Sequence, residues 1–529
     1  MLPTLSQSEI LSAIIQPNAR WTGPTITFSI PGPNSTWAEY PAGSYPSFAE
    51  YGTLNAVQGT NFRHAVQLVS DLIAKPIVET DDASNTGGIR VAFSKTEPYG
   101  GVAYYPPFTD GSSNGVSGDI WLNGRFKESS WGPADGYDFE TVLHELGHAL
   151  GLRHVNDGAD AIPETSTGRL FTVMASSNLD TFVARFAADA NFPGKVSYDS
   201  QRVLITQPMV YDVLALQMLY GANPNTAAGD NAYTWSADQA YYRTIYDAGG
   251  VDTIDLKGHT RGSEIDLRPG AYSSIDYFSK EDQRVYWLER FPTDQAQIHK
   301  FFDDPGRAAF YEWRNNVGIA YGVTIENAIA GEGHDFVIGN AAANRLLGNG
   351  GQDTLWGGEG DDIIEGAADF DQINGNQGDD TAHGGEGDDW VVGGKDQDLL
   401  YGDAGFDVVY GNLGNDTCNG GEGADWVRGG QGDDVIDGGA GNDWMAGDRG
   451  ADTVTGGAGA DKFYFFSGAG IDRVTDFSSA GGDRVQLDKG QAYALSYTAD
   501  GAVIDLGNGD QMVLVGVTSA SIGDWLIFS

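Results

Sequence analysis

The sequence predicts a multidomain protein, with an α/β domain first and then an all-β domain of the parallel β-roll type with a C-terminal β segment. The chain has 529 residues, more than one hydrophobic core usually organises. Helix-like and strand-like patterns alternate over residues 1–235, which is typical of an α/β layer domain. From about residue 330 the composition changes to a glycine- and aspartate-rich repeat.

Residues 1–235 are predicted from the spacing of their apolar residues. The helix predicted over residues 138–150 has an acidic first turn and no internal proline, and it stops at Gly151. The other predicted elements are helices over residues 8–15 and 62–73, and strands over residues 25–30, 88–93 and 118–122.

Three further segments follow the first domain. Residues 236–329 lead into the repeat and contain a predicted helical insert, residues 280–316, which is rich in aromatic side chains. We expect the insert to pack on the β-roll; contact with a partner or a substrate is the alternative. Residues 330–464 form the repeat, and residues 465–529 contain short apolar strands.

Charge and composition exclude several classes of function. The chain has 74 acidic and 30 basic residues, a net charge of -44, and therefore repels phosphate backbones, so we expect no nucleic acid partner. Cys418 is the single cysteine, so no intrachain disulfide framework is possible. No apolar run approaches the ~18 residues of a transmembrane segment, and no Sec-type leader is recognisable at the N-terminus.

The repeat has a period of nine residues. With Gly339 as position one, glycine occupies that position in fourteen consecutive copies through Gly456. Position six is aspartate in all but the first copy, and position eight is apolar throughout. Glycines at positions one and four, and often at position two as well, are expected to adopt left-handed backbone, and position eight to face the core. A disordered acidic linker is the alternative, but a linker has no reason to keep an apolar residue in register.

The position-six carboxylates predict calcium binding. Coils of a β-roll stack roughly 4.8 Å apart, so these carboxylates form columns of negative charge, and hard oxygen ligands in flexible loops suit Ca²⁺. One buried side chain per nine residues does not offset the entropy of ordering them, so we expect the roll to be unfolded without calcium. Asp369 and Asp396 replace glycine at position four, so these two turns are expected to bind calcium poorly or differently. The predicted calcium ligands in the roll are Asp353, Asp362, Asp371, Asp380, Asp389, Asp398, Asp407, Asp416, Asp425, Asp434, Asp443, Asp452 and Asp461.

Residues 144–154, HELGHALGLRH, predict a zinc site. His144 and His148 are four residues apart, so both lie on one face of the predicted helix and can reach one metal ion. Gly151 lets the chain leave the helix so that His154 returns as the third ligand. Zn²⁺ held by three imidazoles keeps a position for water, and Glu145 can accept a proton from that water. This motif predicts hydrolysis of peptide bonds with Glu145 as the general base.

The zinc motif, together with Thr172-Val173-Met174 downstream, resembles a metzincin and its Met-turn. Combined with the nonapeptide repeat, it resembles the serralysin family of secreted bacterial proteases. Residues 118–121 are similar to the family's strand before the zinc helix, and residues 211–224 to its domain-closing helix. Residues 247–255 and 322–327 are similar to the segments that lead into its RTX β-roll.

The resemblance implies a metzincin-type protease domain with one catalytic zinc, several structural calcium ions and a protein or peptide substrate. It implies that Met174 forms an apolar floor beneath the metal, and that Asp247 and Asp252 bind calcium. It also implies a secreted, extracellular protein, exported through type I secretion machinery by a signal in residues 465–529. The chain is expected to be a monomer.

The sequence departs from the family at one catalytic position. Serralysins carry a tyrosine two residues after the Met-turn methionine, whereas this chain has Ser176. A calcium-dependent surface or adhesion RTX protein with a weakly active or vestigial protease domain is therefore the alternative function. The intact zinc motif and Glu145 argue against this alternative. A metal-dependent hydrolase acting on something other than peptides is a third possibility that no residue favours.

Overall fold

The structure is a computed structural model. It describes residues 5–35, 37, 51–82, 88–94, 100–109, 116–130, 132, 137–157, 161–162, 170–175, 182–189, 195–237, 241–276, 280–292, 295–304, 314–518 and 525–528.

The first domain is built from helices and short strands in alternation. A 3-10 helix spans Gly124–Glu128. The helices are α1 (Gln7–Ile14), α2 (Ala56–Ser70), α3 (Tyr137–Ala149) and α4 (Val210–Tyr220). The strands are β1 (Ile26–Ser29), β2 (Tyr51–Gly52), β3 (Ile77–Glu79), β4 (Ile89–Ser94), β5 (Gly101–Ala103), β6 (Ile120–Asn123), β7 (Phe182–Ala188) and β8 (Val196–Arg202).

One twisted sheet carries the domain and ends beside α3. Its strand order is β3-β1-β4-β6-β5, and β2 pairs with the end of β4. The strands from β3 to β6 are parallel, whereas β5 is antiparallel to β6, with Val102 opposite Trp121. Strand β5 contacts α3 and therefore lies beside the helix that carries the HELGH residues. Strands β7 and β8 form a separate antiparallel hairpin.

The predicted helices form, with one large shift of a boundary. Helix α2 begins six residues before the predicted start at Phe62, because Asn55 caps it: the Asn55 side chain accepts from the Gln58 N–H while Gln58 bonds back to the Asn55 N–H. Helix α1 has the same type of cap, made by Ser6 and Glu9. Helix α3 begins and ends within one residue of the prediction, and Gly151 beyond it has a φ of +103°.

The second half of the chain is a parallel β-solenoid with two long faces. Its early strands are β9 (Ala232–Tyr233), β10 (Arg243–Ile245), β11 (Thr253–Asp255), β12 (Glu264–Asp266), β13 (Tyr272–Ser273), β14 (Val317–Ile319), β15 (Asn327–Ile329) and β16 (Phe336–Ile338). The repeat forms β17 (Arg345–Gly350), β18 (Thr354–Glu359), β19 (Ile363–Ala368), β20 (Gln372–Gln377), β21 (Thr381–Glu386), β22 (Trp390–Lys395), β23 (Leu399–Ala404), β24 (Val408–Leu413), β25 (Thr417–Glu422), β26 (Trp426–Gln431), β27 (Val435–Gly441), β28 (Trp444–Arg449), β29 (Thr453–Thr455), β30 (Ala458–Gly459) and β31 (Lys462–Phe465). The chain closes with β32 (Ile471–Val474), β33 (Arg484–Leu487), β34 (Ala494–Tyr497), β35 (Gly501–Gly507), β36 (Asp510–Val515) and β37 (Leu526–Phe528).

Alternate repeats pair within the same sheet, so one coil contains two nonapeptides. Leu346 lies opposite Ile364 in one sheet, and Leu355 lies opposite Ile373 in the other, a separation of 18 residues in each case. The position-eight side chains point between the sheets and are at most 2% exposed. The predicted fold class, an α/β domain followed by a parallel β-roll, is confirmed.

The helical insert forms but packs elsewhere than expected. It contains α5 (Lys280–Arg290) and α6 (Gln295–Phe302), and residues 305–313 of the predicted insert lie outside the described part. Phe301 and Phe302 of α6 pack against Phe186 of the β7–β8 hairpin, with ring centroids 5.2 and 6.0 Å apart. Among the described residues this apolar cluster includes none from the roll. In this cluster the insert packs on the β7–β8 hairpin instead of on the roll as expected, because Phe186 of the hairpin offers an aromatic partner that is distant in sequence.

The C-terminal segment extends the solenoid. Strand β37 pairs in parallel with β33, and Trp525, 1% exposed, packs against Phe477 with ring centroids 5.6 Å apart. Within the described ranges, no helix combines the length and apolarity needed to cross a membrane.

Candidate active site and calcium columns

Helix α3 carries the predicted catalytic residues and lies beside β5, the strand at one edge of the sheet. Phe139, Val142, Leu143 and Leu146 are buried and anchor the helix on the core. This packing leaves the face that carries His144 and His148 directed towards the chain that returns after Gly151. The returning chain places His154 beside them.

The three imidazoles converge through their Nε2 atoms. The Nε2 of His154 lies 3.1 Å from that of His144 and 3.2 Å from that of His148. Each Nδ1 faces an acceptor: the Val173 carbonyl oxygen for His144, the Leu152 carbonyl oxygen for His148 and the Asp157 carboxylate for His154, at 2.7 to 2.9 Å. An oxygen that only accepts fixes the hydrogen on Nδ1, so each Nε2 presents a lone pair. Three lone pairs facing one another fit a bound cation.

The protonation of His148 agrees with this arrangement. Its side chain is 9% exposed, and burial holds the pKa of His148 well below the ordinary value of histidine, with a further contribution from His144 and His154. The neutral imidazole is the form that binds a metal ion.

Strand β5 lies in close contact with the Glu145 side chain. A Cβ at Gly101 would lie 2.8 Å from Cγ of Glu145 and 2.9 Å from its Oε1, closer than real Cβ contacts. Glycine is therefore required at residue 101 for the strand to approach the carboxylate. Glu145 is 5% exposed, so its carboxylate is held out of solvent.

Met174 lies beneath the helix, at a second close approach. A Cβ at Gly147 would lie 2.5 Å from the Met174 sulfur, and Met174 itself is fully buried. Asp212 of α4 holds this turn: its carboxylate accepts hydrogen bonds from the Thr172 hydroxyl at 2.5 Å and from the Val173 N–H at 2.8 Å. Burial raises the pKa of Asp212 to about 6 despite these bonds.

Sequence reasoning did not assign a role to four residues of this site: Gly101, Asp157, Asp212 and Tyr105. Tyr105 follows β5, and its ring lies edge-on to the His148 ring, with centroids 5.6 Å apart. Burial, and then the charges of Asp157 and Glu145, raise the pKa of Tyr105. Of these four, only Asp157 could have been suggested by the sequence, because a carboxylate three residues after His154 is close enough to accept a hydrogen bond from it. Ser176 lies outside the described residues.

The position-six aspartates form two regular columns along the roll. Each backbone N–H in the column donates to Oδ1 of the aspartate one coil further on, as from Asp362 to Asp380 at 2.9 Å and from Asp371 to Asp389 at 2.8 Å. The Oδ2 atoms from Asp353 to Asp452 are buried and have no hydrogen-bond partner. A column of bare carboxylate oxygens next to backbone carbonyls is an oxygen donor set of the kind that fits Ca²⁺.

Desolvation of these carboxylates raises their pKa values. Burial raises the pKa of Asp353 to about 9, that of Asp398 to about 8 and that of Asp389 to about 6. Neighbouring aspartates raise them further, as Asp416 does for Asp398. The uncompensated columns therefore hold protons at a pH at which free aspartate is ionised.

Glycine at position one has a different purpose from the predicted one. Gly348 and Gly411 have no positive φ, so the expectation of left-handed backbone at position one was wrong. A Cβ there would instead lie 2.4 Å from Oδ2 of Asp353, or 2.3 Å from Oδ2 of Asp416. Position one is glycine because the carboxylate needs that space. Positions two and four carry the left-handed backbone.

The irregular positions of the roll adapt to its backbone. Asp369 and Asp396 have φ values of +72° and +76°, so they adopt the left-handed conformation that glycine has at position four. Before the repeat, Asp247 accepts a hydrogen bond from the Tyr233 hydroxyl, and Asp252 accepts one from the Asn231 N–H. The second oxygen of Asp252 is buried without a partner, and burial raises the pKa of Asp252.

The second half of the chain matches a known repeat family. The RTX calcium-binding nonapeptide repeat (4 copies) matches residues 329–364, 365–400, 392–427, 419–454, 428–463 and 438–474. The repeats are therefore of the calcium-binding RTX type.

Known proteases match a larger part of the chain. Metallopeptidase AprA of Pseudomonas marginalis is 27% identical over 346 residues, 60% of this chain and 60% of the relative. Serralysin of Photorhabdus luminescens is 28% identical over 56% of this chain and 55% of its own length. Serralysin of Proteus mirabilis is 27% identical over 55% of this chain and 56% of its own length. The chain thus spans little more than half the length of these curated relatives. The extracellular lipase LipA of Serratia marcescens is a solved structure that covers 46% of this chain and 50% of its own, at 18% identity and a TM-score of 0.19.

Fold and site together define a class of protein: an α/β domain with a three-histidine site of the HExxHxxGxxH type, joined to an RTX β-roll. Within that class the chain is a relative of the serralysins, and the resemblance predicted from the sequence is confirmed.

Proposed function

We propose that this chain is a secreted zinc endopeptidase whose β-roll is ordered by calcium. The observation that carries the proposal is the set of three Nε2 atoms, 3.1 and 3.2 Å apart, whose Nδ1 atoms are all committed to acceptors. His144, His148 and His154 would hold the zinc. Zinc bound by three imidazoles supplies a Lewis acid that polarises a substrate carbonyl and lowers the pKa of a bound water.

The protein groups around the site each have a role in peptide hydrolysis. Val173, Leu152 and Asp157 keep the imidazoles in one tautomer and orientation. Glu145 accepts a proton from the attacking water at its carboxylate and passes that proton to the nitrogen of the leaving amine. Gly101 allows the strand to hold Glu145 in place.

Strand β5 provides a place for the substrate backbone. It ends the sheet order, and among the described residues no strand pairs with its outer edge. An extended peptide can pair with such an edge through main-chain hydrogen bonds, which align its carbonyl groups along the strand. Because β5 contacts α3, that alignment brings a peptide bond next to Glu145.

The roll supports an extracellular site of action. Calcium modules of extracellular proteins typically bind at ~10⁻⁴–10⁻³ M, so columns of this kind stay empty inside a cell and fill outside it. Export of an unfolded chain through type I secretion machinery, directed by residues 465–529, is consistent with that difference.

The function is tested by digesting an unbiased peptide mixture with the full chain in zinc and calcium, followed by mass spectrometry. The wild-type chain is expected to cleave peptides and to stop when a zinc chelator is added. Glu145→Ala is expected to keep its zinc, measured by elemental analysis, and to lose cleavage by about 10²- to 10⁴-fold. Near-normal cleavage by Glu145→Ala would contradict the assigned mechanism.

A further inference from the structure

A hydrogen-bond donor at the carbonyl oxygen under attack assists peptide hydrolysis. That oxygen gains negative charge as the carbon becomes tetrahedral, and a donor aimed at it lowers the barrier. The serralysin family supplies a tyrosine after its Met-turn methionine, but this chain has Ser176 at that position. The hydroxymethyl side chain of serine is far shorter than a phenol.

Tyr105 brings a phenol to the same centre from another element. Its ring contacts the His148 ring edge-on, at 5.6 Å between centroids. Among the described residues the Tyr105 hydroxyl has no hydrogen-bond partner, and the side chain is only partly buried. The O–H group of a phenol can donate one hydrogen bond.

The backbone around Tyr105 is fixed on the sheet. The Gly118 N–H donates to the carbonyl oxygens of Tyr104 and Tyr105 at 3.0 and 3.2 Å. Pro106 follows, and a following proline favours extended backbone at residue 105. The neighbouring Tyr104 lies on the opposite face, where it packs with Trp37 and Trp121. The two adjacent tyrosines therefore differ in their surroundings: the Tyr105 ring contacts His148, whereas Tyr104 packs against tryptophans on the other face.

We propose that the Tyr105 hydroxyl donates a hydrogen bond to the carbonyl oxygen of the substrate as that oxygen becomes an oxyanion. The proton stays on Tyr105 throughout. This inference rests on the proposed function and adds a catalytic residue to it, on the ground that the Tyr105 ring contacts the ring of the predicted zinc ligand His148. It explains how a chain with Ser176 retains a phenolic donor.

The test is Tyr105→Phe in the full, zinc- and calcium-loaded chain, with Tyr104→Phe as the matched control. Phenylalanine keeps the ring on His148 and removes only the hydroxyl. We expect kcat to fall about 10- to 100-fold with KM within about twofold, and zinc content to stay unchanged. Calorimetry with a phosphinic peptide, whose phosphinate oxygen imitates the oxyanion, is expected to give a loss of affinity of the same size.

Two outcomes would overturn the proposal. One is a Tyr105→Phe variant whose kcat and phosphinic peptide affinity both stay within about twofold of the wild type. The other is an equal loss in Tyr104→Phe, which would assign the effect to packing of the sheet. If the wild-type chain cleaves no peptide, the proposed function fails by itself. The calorimetric comparison of the two variants then still decides whether Tyr105 contacts the oxyanion mimic.

Discussion

The two ion-binding regions of this molecule are organised by different means. In the first domain, the three imidazoles donate hydrogen bonds from Nδ1 to Val173, Leu152 and Asp157, and these bonds fix the orientation of the rings. In the roll, only one oxygen of each position-six aspartate from Asp353 to Asp452 accepts a hydrogen bond, and the other is buried without a partner. The first region is a pre-organised site in a packed domain, whereas the second is a stack of buried carboxylates that we expect calcium to stabilise.

This difference predicts separate responses to metal and to mutation. Loss of a single ligand should destroy the three-histidine site, since each imidazole is one third of its donor set. Loss of one aspartate should weaken the roll only locally, since its neighbours repeat the same contacts every 18 residues.

The largest effect is expected at the histidines. His144→Ala, His148→Ala or His154→Ala should each abolish stoichiometric zinc binding and reduce peptidase activity by more than about 10³-fold, because the remaining two imidazoles leave the ion under-coordinated. Elemental analysis and a peptide cleavage assay measure both losses. Retention of a full equivalent of zinc in any of these variants would contradict the ligand set.

A smaller effect is expected from Gly101→Ala. The new methyl group would meet Glu145 at 2.8 Å and displace its carboxylate, so kcat should fall about 10- to 100-fold while zinc content is unchanged. Gly32→Ala is the control, because a Cβ at residue 32 has no neighbour within 4 Å. If both variants cleave peptides as fast as the wild type, strand β5 does not position Glu145.

Asp157 should affect zinc affinity rather than the chemical step. Asp157→Ala removes the acceptor that orients His154, so zinc affinity should fall about 10- to 100-fold. Asp157→Asn keeps an acceptor oxygen and is expected to give an intermediate value. Competition with a chromogenic zinc chelator measures the affinities, and equal affinity in all three proteins would exclude this role.

The sequence also predicts the three-histidine site and the roll to different extents. The HELGHALGLRH segment is local, so the positions of Glu145 and the three histidines could be predicted from the helix period and one glycine. Gly101 and Tyr105 could not, because their contacts with α3 depend on how an antiparallel edge strand is placed by the sheet. The role of Asp212 could not be predicted either, since Asp212 lies 39 residues from Val173, whose N–H donates a hydrogen bond to it.

In the roll, periodicity predicts the core and the columns, because every coil repeats the same contacts. The role of position one was missed because a glycine that makes space and a glycine that takes a positive φ look alike in sequence. The packing of the insert on the β7–β8 hairpin was missed for another reason. Its aromatic residues indicate burial, but they do not identify the surface that buries them.

The raised pKa values of the columns predict a pH dependence for the metal-stripped chain. Aspartate in an unfolded chain titrates near 3.9, whereas in the folded roll the pKa is about 7 for Asp362 and about 9 for Asp353. The stabilisation from bound protons is thus complete below pH ~4 and is lost as pH rises through about 6 to 9. The β signal without calcium should be greater at pH 5 than at pH 8, and less calcium should be needed to complete folding at the lower pH, because protons and calcium neutralise the same carboxylates. Equal calcium midpoints at both values would contradict the assignment of the columns as ligands.

A calcium titration of the metal-stripped full chain at pH 7.5, followed by far-UV circular dichroism, tests the contrast between the two regions most directly. The predicted result is a large gain of β signal from the roll at ~10⁻⁴–10⁻³ M calcium, while the helical signal of the first domain changes little. Magnesium at the same concentration serves as the control and should not replace calcium. A roll from residue 330 to residue 464 with its full β signal before any calcium is added would contradict the account.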